Sequence, residues 1–113
     1  MVKNKLEIMN KREIREKFKR EVFKRDNYKC RICGDSTSKL DAHHIVDRSE
    51  IISGGYVKEN GITLCDKENG CHVKAEQYHI SDGKQWVEGL HPEDLYRIIK
   101  SSKDLAIQKS KQL

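Results

Sequence analysis

Residues 40–76, LDAHHIVDRSEIISGGYVKENGITLCDKENGCHVKAE, contain the succession of short apolar runs and turn signals that decides the fold. Leu40 to Val46 is typical of a short strand, and Ile62 to Leu64 of a second strand that follows the turn signal Asn60-Gly61. Cys71 to about His79 is typical of a helix. The stretch therefore predicts the order strand, loop, strand, helix.

Helices are predicted on both sides of this core. Ile14, Phe18 and Val22 lie four residues apart among charged residues, which predicts a narrow amphipathic helix from about residue 8 to residue 25. Pro92 suits the first turn of a helix and opens a last one that runs on toward the C-terminus. We expect a single domain of the α+β class.

The composition limits what such a domain can do. The chain has 113 residues, of which 35% are hydrophobic and 36% charged, and its mean hydropathy is -0.85. A chain this polar buries little apolar area, so its core is expected to need an added cross-link. Apolar runs of the roughly 20 residues that span a membrane are absent from the sequence. With no signal-peptide pattern either, we expect a soluble cytoplasmic protein without a membrane partner.

Positive charge is concentrated near the N-terminus. Residues 1–31 carry 12 basic and 5 acidic side chains, whereas residues 32–113 carry 11 basic and 13 acidic ones. A basic face binds a polyanion favourably, and nucleic acid is the first candidate. A solvated helix with ordinary charges is the alternative.

Four cysteines form two pairs along the sequence. In a chain without an export signal, such pairs favour a zinc site over disulfides. Cys30 and Cys33 have the two-residue gap of a zinc knuckle, and Gly34 lets the backbone turn after them. The second pair is looser, with five residues between Cys65 and Cys71. The alternatives are free buried thiols, or a site of three cysteines and one histidine without Cys71.

Histidines and a carboxylate form a second group of candidate ligands. His43 and His44 are adjacent on the predicted strand, so their side chains point to opposite faces and invite different roles. His72 and Glu76 are four residues apart on the predicted helix and share one face, which suits two ligands of one metal ion. His79 lies about 10 Å from His72 at about 1.5 Å per residue. It is predicted to be too far away for the same ion.

The ordered set Cys-x2-Cys, His-His-Ile, Asn-Gly-Ile-Thr-Leu-Cys and Cys-His-x2-Lys resembles the HNH endonucleases. It looks most like the zinc-containing HNH proteins of phages and mobile elements, and the lead-in Arg-Asp-Asn-Tyr-Lys-Cys is similar as well. The resemblance implies a small ββα-metal (His-Me finger) core with a flanking N-terminal basic helix and a C-terminal helix. It divides the single domain into a basic lead-in at 1–29, the zinc knuckle and core at 30–79, and a helical extension at 80–113.

The resemblance also implies a role for individual residues. His43 matches a metal ligand and His44 the general base that takes a proton from the attacking water. Asn60 matches the asparagine that holds the hairpin loop and helps to orient the base, and His72 a metal ligand on the helix. Glu76 stands where many members have a second histidine. This departure is chemically reasonable, because carboxylates bind Mg²⁺ and Mn²⁺.

The activity implied is metal-dependent hydrolysis of DNA phosphodiester bonds, by nicking or by double-strand cleavage. The cofactors would be a structural Zn²⁺ at the four cysteines and one catalytic divalent ion (Mg²⁺, Mn²⁺, Ni²⁺ or Zn²⁺). The partners would be DNA and a phage packaging protein or another nuclease partner, with the chain a monomer or weak homodimer in the host cytoplasm. The expected DNA contacts from the first helix are Lys11, Arg12, Arg15, Lys19 and Arg20.

Other interpretations stay open at this point. The strand histidines could be ordinary surface or core residues, and His79 and His91 are expected to be structural or exposed. Asp41 lies two residues before His43 on the same strand face and could support a metal ligand, but it is expected to face solvent. A zinc-stapled DNA-binding module without cleavage activity is the main alternative function. A purely structural zinc protein is a third, which the N-terminal basic excess disfavours.

Overall fold

The computed structural model describes residues 10–113, so the start of the predicted N-terminal helix at residues 8 and 9 lies outside the described residues. Within 10–113, four α-helices surround a two-stranded antiparallel sheet. No helix in this part of the chain is long and apolar enough to cross a membrane. The elements confirm the α+β class and the order strand, loop, strand, helix. They are α1 (Lys11–Arg25), β1 (Leu40–His44), β2 (Gly61–Cys65), α2 (Cys71–Ile80), α3 (Pro92–Ile98) and α4 (Lys103–Ser110).

The sheet pairs all five residues of β1 with all five of β2. β1 is two residues shorter than predicted. The Ile45 N–H still donates to the Asn60 carbonyl at 2.9 Å, but Val46 is bound by the Asn60 side chain instead of by a strand. Among the described residues β2 is the only strand that pairs with β1.

Helix α1 packs its apolar stripe on this sheet. Phe18 and Val22 are buried against Ala42, while Ile14 at the exposed end of the stripe is half-buried. The contact requires glycine at position 61, because a Cβ there would lie 2.6 Å from Val22 Cγ2 and 2.7 Å from the Phe18 ring. The predicted stripe therefore identifies the face of α1 that meets the sheet.

A buried carboxylate joins α1 to β2 and to the C-terminal part. Asp26 accepts hydrogen bonds from Arg25, from Arg31 and from the Thr63 backbone N–H, at 2.6–2.9 Å. Arg31 also donates to the carbonyl of Ile98 at 2.8 Å. Burial raises the pKa of the Asp26 carboxyl, but these hydrogen bonds outweigh burial and hold the pKa below its usual value. The ionised carboxylate thus serves as a cross-link of the small core.

The C-terminal part forms two helices, where the sequence predicted one continuous helix. The backbone reverses at Lys100, which has a positive φ of 57°. Ser102 then starts α4, because its side chain accepts a hydrogen bond from the Leu105 N–H at 3.1 Å. A serine N-cap of this kind stabilises a new helix start.

Candidate metal centres and basic cleft

The four cysteines come together into one group, the four-cysteine cluster: Cys30, Cys33, Cys65 and Cys71. Their Sγ atoms all lie within 4.8 Å of one another. Cys33 Sγ and Cys65 Sγ are 3.8 Å apart, which is about the edge of a tetrahedron with metal–sulfur bonds of about 2.3 Å. All four are free of disulfides. The cluster could therefore hold a metal ion such as zinc.

The loose spacing of the second cysteine pair is accommodated by a tight turn. The Gly70 N–H donates to the Lys67 carbonyl at 2.9 Å. A Cβ at Gly70 would lie 2.9 Å from that same carbonyl oxygen, so the turn needs glycine. The Cys71 N–H then donates to Cys65 Sγ at 3.3 Å, which aims both thiols at the cluster.

The thiols of this cluster are electrostatically unequal. Burial raises the pKa of Cys30, but N–H groups of Cys33, Ile32 and Cys65 outweigh it and lower the pKa to about 7. Burial and the neighbouring sulfurs raise the pKa of Cys71 well above its usual range. Without a metal, the Cys30 thiolate is favoured, whereas Cys71 retains its proton. Metal binding must therefore release protons.

A second group of ligands, the His43 cluster, joins β1 to α2: His43, Glu76 and His79. Their ligand atoms all lie within 4.8 Å of one another. His43 is 2% exposed, and its Nδ1 lies 3.1 Å from Glu76 Oε1 without the alignment of a hydrogen bond. The imidazoles of His43 and His72 hold the pKa of Glu76 well below its usual value, so Glu76 is a carboxylate. An orphaned buried nitrogen beside a carboxylate fits a divalent metal ion.

The placement of His79 overturns the prediction that it is too far from the metal ligands. The predicted distance was measured from His72, two helical turns away, whereas Glu76 is only three residues from His79 and on the same face. His79 Nε2 lies 3.0 Å from the His44 carbonyl oxygen. With Nε2 donating to that carbonyl, Nδ1 keeps its lone pair, which is the usual arrangement of a metal-binding histidine. The sequence signal that identifies His79 is therefore its spacing from Glu76.

His72 lies beside the His43 cluster, with both ring nitrogens on carboxylates. Its Nδ1 is 3.2 Å from Asp66 Oδ1, and its Nε2 is 3.2 Å from Asp41 Oδ2 and 3.4 Å from Glu76 Oε1. Glu76 is the largest cause of a His72 pKa raised to about 9, and Asp66 and Asp41 add to it. Without a metal ion these carboxylates favour the protonated imidazole, so a metal ion that bound His72 would have to displace a proton. Asp41, which was expected to face solvent, is half-buried and contacts His72.

His44 points to the opposite face of β1 from His43, as the alternation of strand side chains predicts. Its ring stacks on Phe18 with centroids 4.5 Å apart, and Tyr56 packs edge-on against it at 4.8 Å. Burial lowers the pKa of His44 to about 4, and the charges of His43 and Arg48 add to the effect. The imidazole is therefore neutral near pH 7 and has a lone pair that can accept a proton.

A cleft with a volume of about 410 Å³ opens beside His44, between α1 and the loop after β1. We call it the basic cleft. Asp41 and His44 both line the cleft. Because Asp41 also contacts His72, it connects the cleft to the surroundings of the His43 cluster. Its positively charged lining residues are Arg12, Arg15, Lys19 and Arg48.

The basic cleft contains three of the five predicted DNA contacts. Arg12, Arg15 and Lys19 recur at helical spacing on one face of α1, so they line the cleft together. Lys11 lines a separate, mostly apolar cavity, and Arg20 is exposed on the adjacent face of the helix. The fourth basic residue of the cleft is Arg48, which comes from the loop after β1 and therefore belongs to no helical pattern in the sequence.

Asn60 acts within the fold. It is fully buried, and its Oδ1 accepts from the Val46 N–H at 3.0 Å and from the Tyr96 hydroxyl at 2.7 Å. Its Nδ2 donates to the carbonyls of Val46 and Gly55. The amide holds the loop after His44, so Asn60 is a positioning residue with no polar atom left for substrate. The contact from Tyr96 in α3 is one that the sequence did not predict.

Comparison of the chain with protein-family models, with curated proteins and with solved structures gives no match.

Proposed function

We propose that this chain is a metal-dependent HNH-type endonuclease that hydrolyses DNA phosphodiester bonds. In this proposal β1, β2 and α2 form a ββα-metal core. The observation that carries it is that two consecutive histidines of β1 lie in different environments, each suited to a different catalytic role. His43 belongs to a cluster suited to a divalent ion, and His44 is a neutral imidazole at a basic cleft.

The His43 cluster is the proposed site of the catalytic ion. His43 and Glu76 supply a buried nitrogen and a carboxylate oxygen, and His79 supplies a second nitrogen. A divalent ion held by these three residues would stabilise the negative charge that develops on the phosphate during hydrolysis. Mg²⁺, Mn²⁺, Ni²⁺ and Zn²⁺ are all compatible with a mixed nitrogen and oxygen ligand set.

His44 is the proposed general base. Its imidazole is packed against two aromatic rings, and its Nε2 is buried without a hydrogen-bond partner among the described residues. A local shift of the imidazole or of these rings would bring that nitrogen within reach of the attacking water whose proton it takes. Asn60 keeps the backbone that follows His44 in place through two hydrogen bonds to Val46. The base and the proposed metal ligand His43 are therefore held side by side on one strand.

The basic cleft is the proposed contact with the DNA backbone. Guanidinium and ammonium groups bind phosphates and release counterions, which favours any stretch of DNA regardless of its sequence. The four-cysteine cluster would hold a structural Zn²⁺ and take no part in the chemistry, because four thiolates leave no open position.

Conversion of supercoiled plasmid tests this function. The zinc-loaded chain is incubated with Mg²⁺, Mn²⁺, Ni²⁺ or Zn²⁺, beside His44→Asn and the matched control His91→Asn. His91 caps α3 through its side chain, a role that asparagine retains. We expect nicked or linear product from the wild type and from His91→Asn, and at least about a hundredfold less from His44→Asn.

Two results would count against the proposal. If His44→Asn cuts at the wild-type rate, His44 is not the general base. Intact plasmid with every metal, combined with DNA binding, favours the zinc-stapled binding module instead. Zinc content and melting temperature of each variant establish that lost cutting is not lost folding.

A further inference from the structure

The loop after β1 places two polar side chains beside His44 that the general-base chemistry does not use. Arg48 is exposed, and its Nη1 donates to the Tyr56 hydroxyl at 3.5 Å. The Tyr56 ring packs against His44, and Gly54 makes room for it, because a Cβ there would lie 2.7 Å from the ring. The loop thus holds a guanidinium and a phenol at the mouth of the basic cleft.

A second guanidinium, that of Arg15 in α1, lines the same cleft as Arg48 and Tyr56. Burial alone raises the pKa of Tyr56, but the two neighbouring guanidinium groups outweigh it and lower the pKa. Within residues 10–113, neither arginine has a carboxylate oxygen within 4.0 Å. Both guanidinium groups therefore keep N–H donors for an anion from outside the chain.

Two guanidinium groups and a phenol are a ligand set suited to phosphate. Arginine presents its N–H groups in a planar fork that matches phosphate oxygens, and charge-assisted hydrogen bonds of this kind are strong. The only acidic side chains that line the cleft in the described residues are Glu16 and Asp41, against four basic ones. The cleft retains a positive excess.

We propose that Arg15, Arg48 and Tyr56 form a subsite for one backbone phosphate of the DNA strand, next to the bond that is cut. The proposal rests on the proposed nuclease function and adds the contact that sets the strand against His44. A phosphate held there fixes the register of the strand, and small errors of placement at a reacting centre cost large factors in rate.

Binding in the absence of a divalent ion tests the subsite apart from catalysis. A fluorescein-labelled 20-base-pair duplex is titrated with the zinc-loaded chain at several salt concentrations. Arg48→Ala is compared with Arg97→Ala, a matched control, because Arg97 is exposed, lies outside the basic cleft and pairs with Asp94. We expect Arg48→Ala to weaken binding about tenfold and to reduce the salt slope by about 1. Arg97→Ala should leave both unchanged.

Cleavage kinetics then separate placement from binding. We expect Arg48→Ala to lower kcat/KM by about 10-fold to 100-fold. Arg48→Lys should lower it less, because lysine keeps the charge but lacks the planar fork of N–H groups. Tyr56→Phe should lower kcat/KM several-fold, because it loses the hydroxyl while its ring still supports His44. Equal salt slopes and affinities for Arg48→Ala and Arg97→Ala overturn the subsite, whether or not the wild type cuts. If the wild type binds DNA through Arg48 but does not cut it with any of the metal ions, the nuclease function alone is overturned.

Discussion

The identity of the third metal ligand can be decided by removing two histidines of one helix in parallel. His79→Ala and His72→Ala lie two turns apart on α2, and alanine maintains the helix in both. His79 has its ligand atom within 4.8 Å of those of His43 and Glu76, whereas His72 has both ring nitrogens on carboxylates. The structure therefore predicts unequal effects on metal affinity.

The magnitudes follow from these two positions. Loss of a direct ligand from a set of three removes one metal bond, and we expect His79→Ala to weaken Mn²⁺ binding by more than about 100-fold. Loss of a residue that supports a ligand costs about 10-fold to 100-fold, and His72 supports Glu76 through a single 3.4 Å contact. We therefore expect His72→Ala to lie near the lower end of that range.

Calorimetric titration of Mn²⁺ into the zinc-loaded chain measures both affinities. Mn²⁺ favours nitrogen and oxygen ligands over thiolates, so the four-cysteine cluster does not compete for it. The reverse order, with His72→Ala losing more than His79→Ala, would refute the assignment of His79 and restore His72 as the ligand. Unchanged zinc content and helical circular dichroism are the controls for folding.

Three further predictions concern the fold. Gly61→Ala should lower the free energy of unfolding by about 1–3 kcal/mol in a urea titration, because its Cβ meets Val22 and Phe18; an unchanged midpoint contradicts the packing. Asp26→Ala should cost about 3 kcal/mol by the same assay, because it leaves two guanidinium groups and the Thr63 N–H without their partner. Since the folded pKa of Asp26 lies below its usual value, its contribution is complete above about pH 4 and is lost as the pH falls further; if the stability difference between wild type and Asp26→Ala does not shrink on acidification, this account is wrong. Zinc removal from the four-cysteine cluster by a chelator should lower the melting temperature, and zinc affinity should rise with pH because binding displaces thiol protons; equal melting temperatures with and without zinc contradict this prediction.

Local patterns in the sequence predicted the elements that local physics determines. The four-residue spacing of Phe18 and Val22 identified the buried face of α1, and strand alternation identified His43 and His44 as residues of opposite faces. The spacing of Cys30 and Cys33 identified one half of a cluster. Each of these inferences depends on residues within about one turn or one strand of one another.

The misplaced parts depend on contacts between distant segments. His79 joins the His43 cluster because β1 lies beside the C-terminal part of α2. Its three-residue spacing from Glu76 places it on the right helix face, but the approach of β1 to that face depends on the tertiary fold. Asp41 contacts His72 across the same boundary. The break before α4 did have a local signal, the serine N-cap at Ser102, but the apolar residues before it mimicked a continuing helix.

The chemistry of the cleaved ends tests the central claim most directly. A DNA duplex labelled at its 5′ end is cut under single-turnover conditions with the zinc-loaded chain and Mn²⁺. Attack by a water that His44 deprotonates, with the 3′ oxygen as leaving group, predicts fragments with a 5′-phosphate and a 3′-hydroxyl. His44→Asn should give at least about a hundredfold less of them. Fragments with other ends, or equal yields from wild type and His44→Asn, would contradict the account.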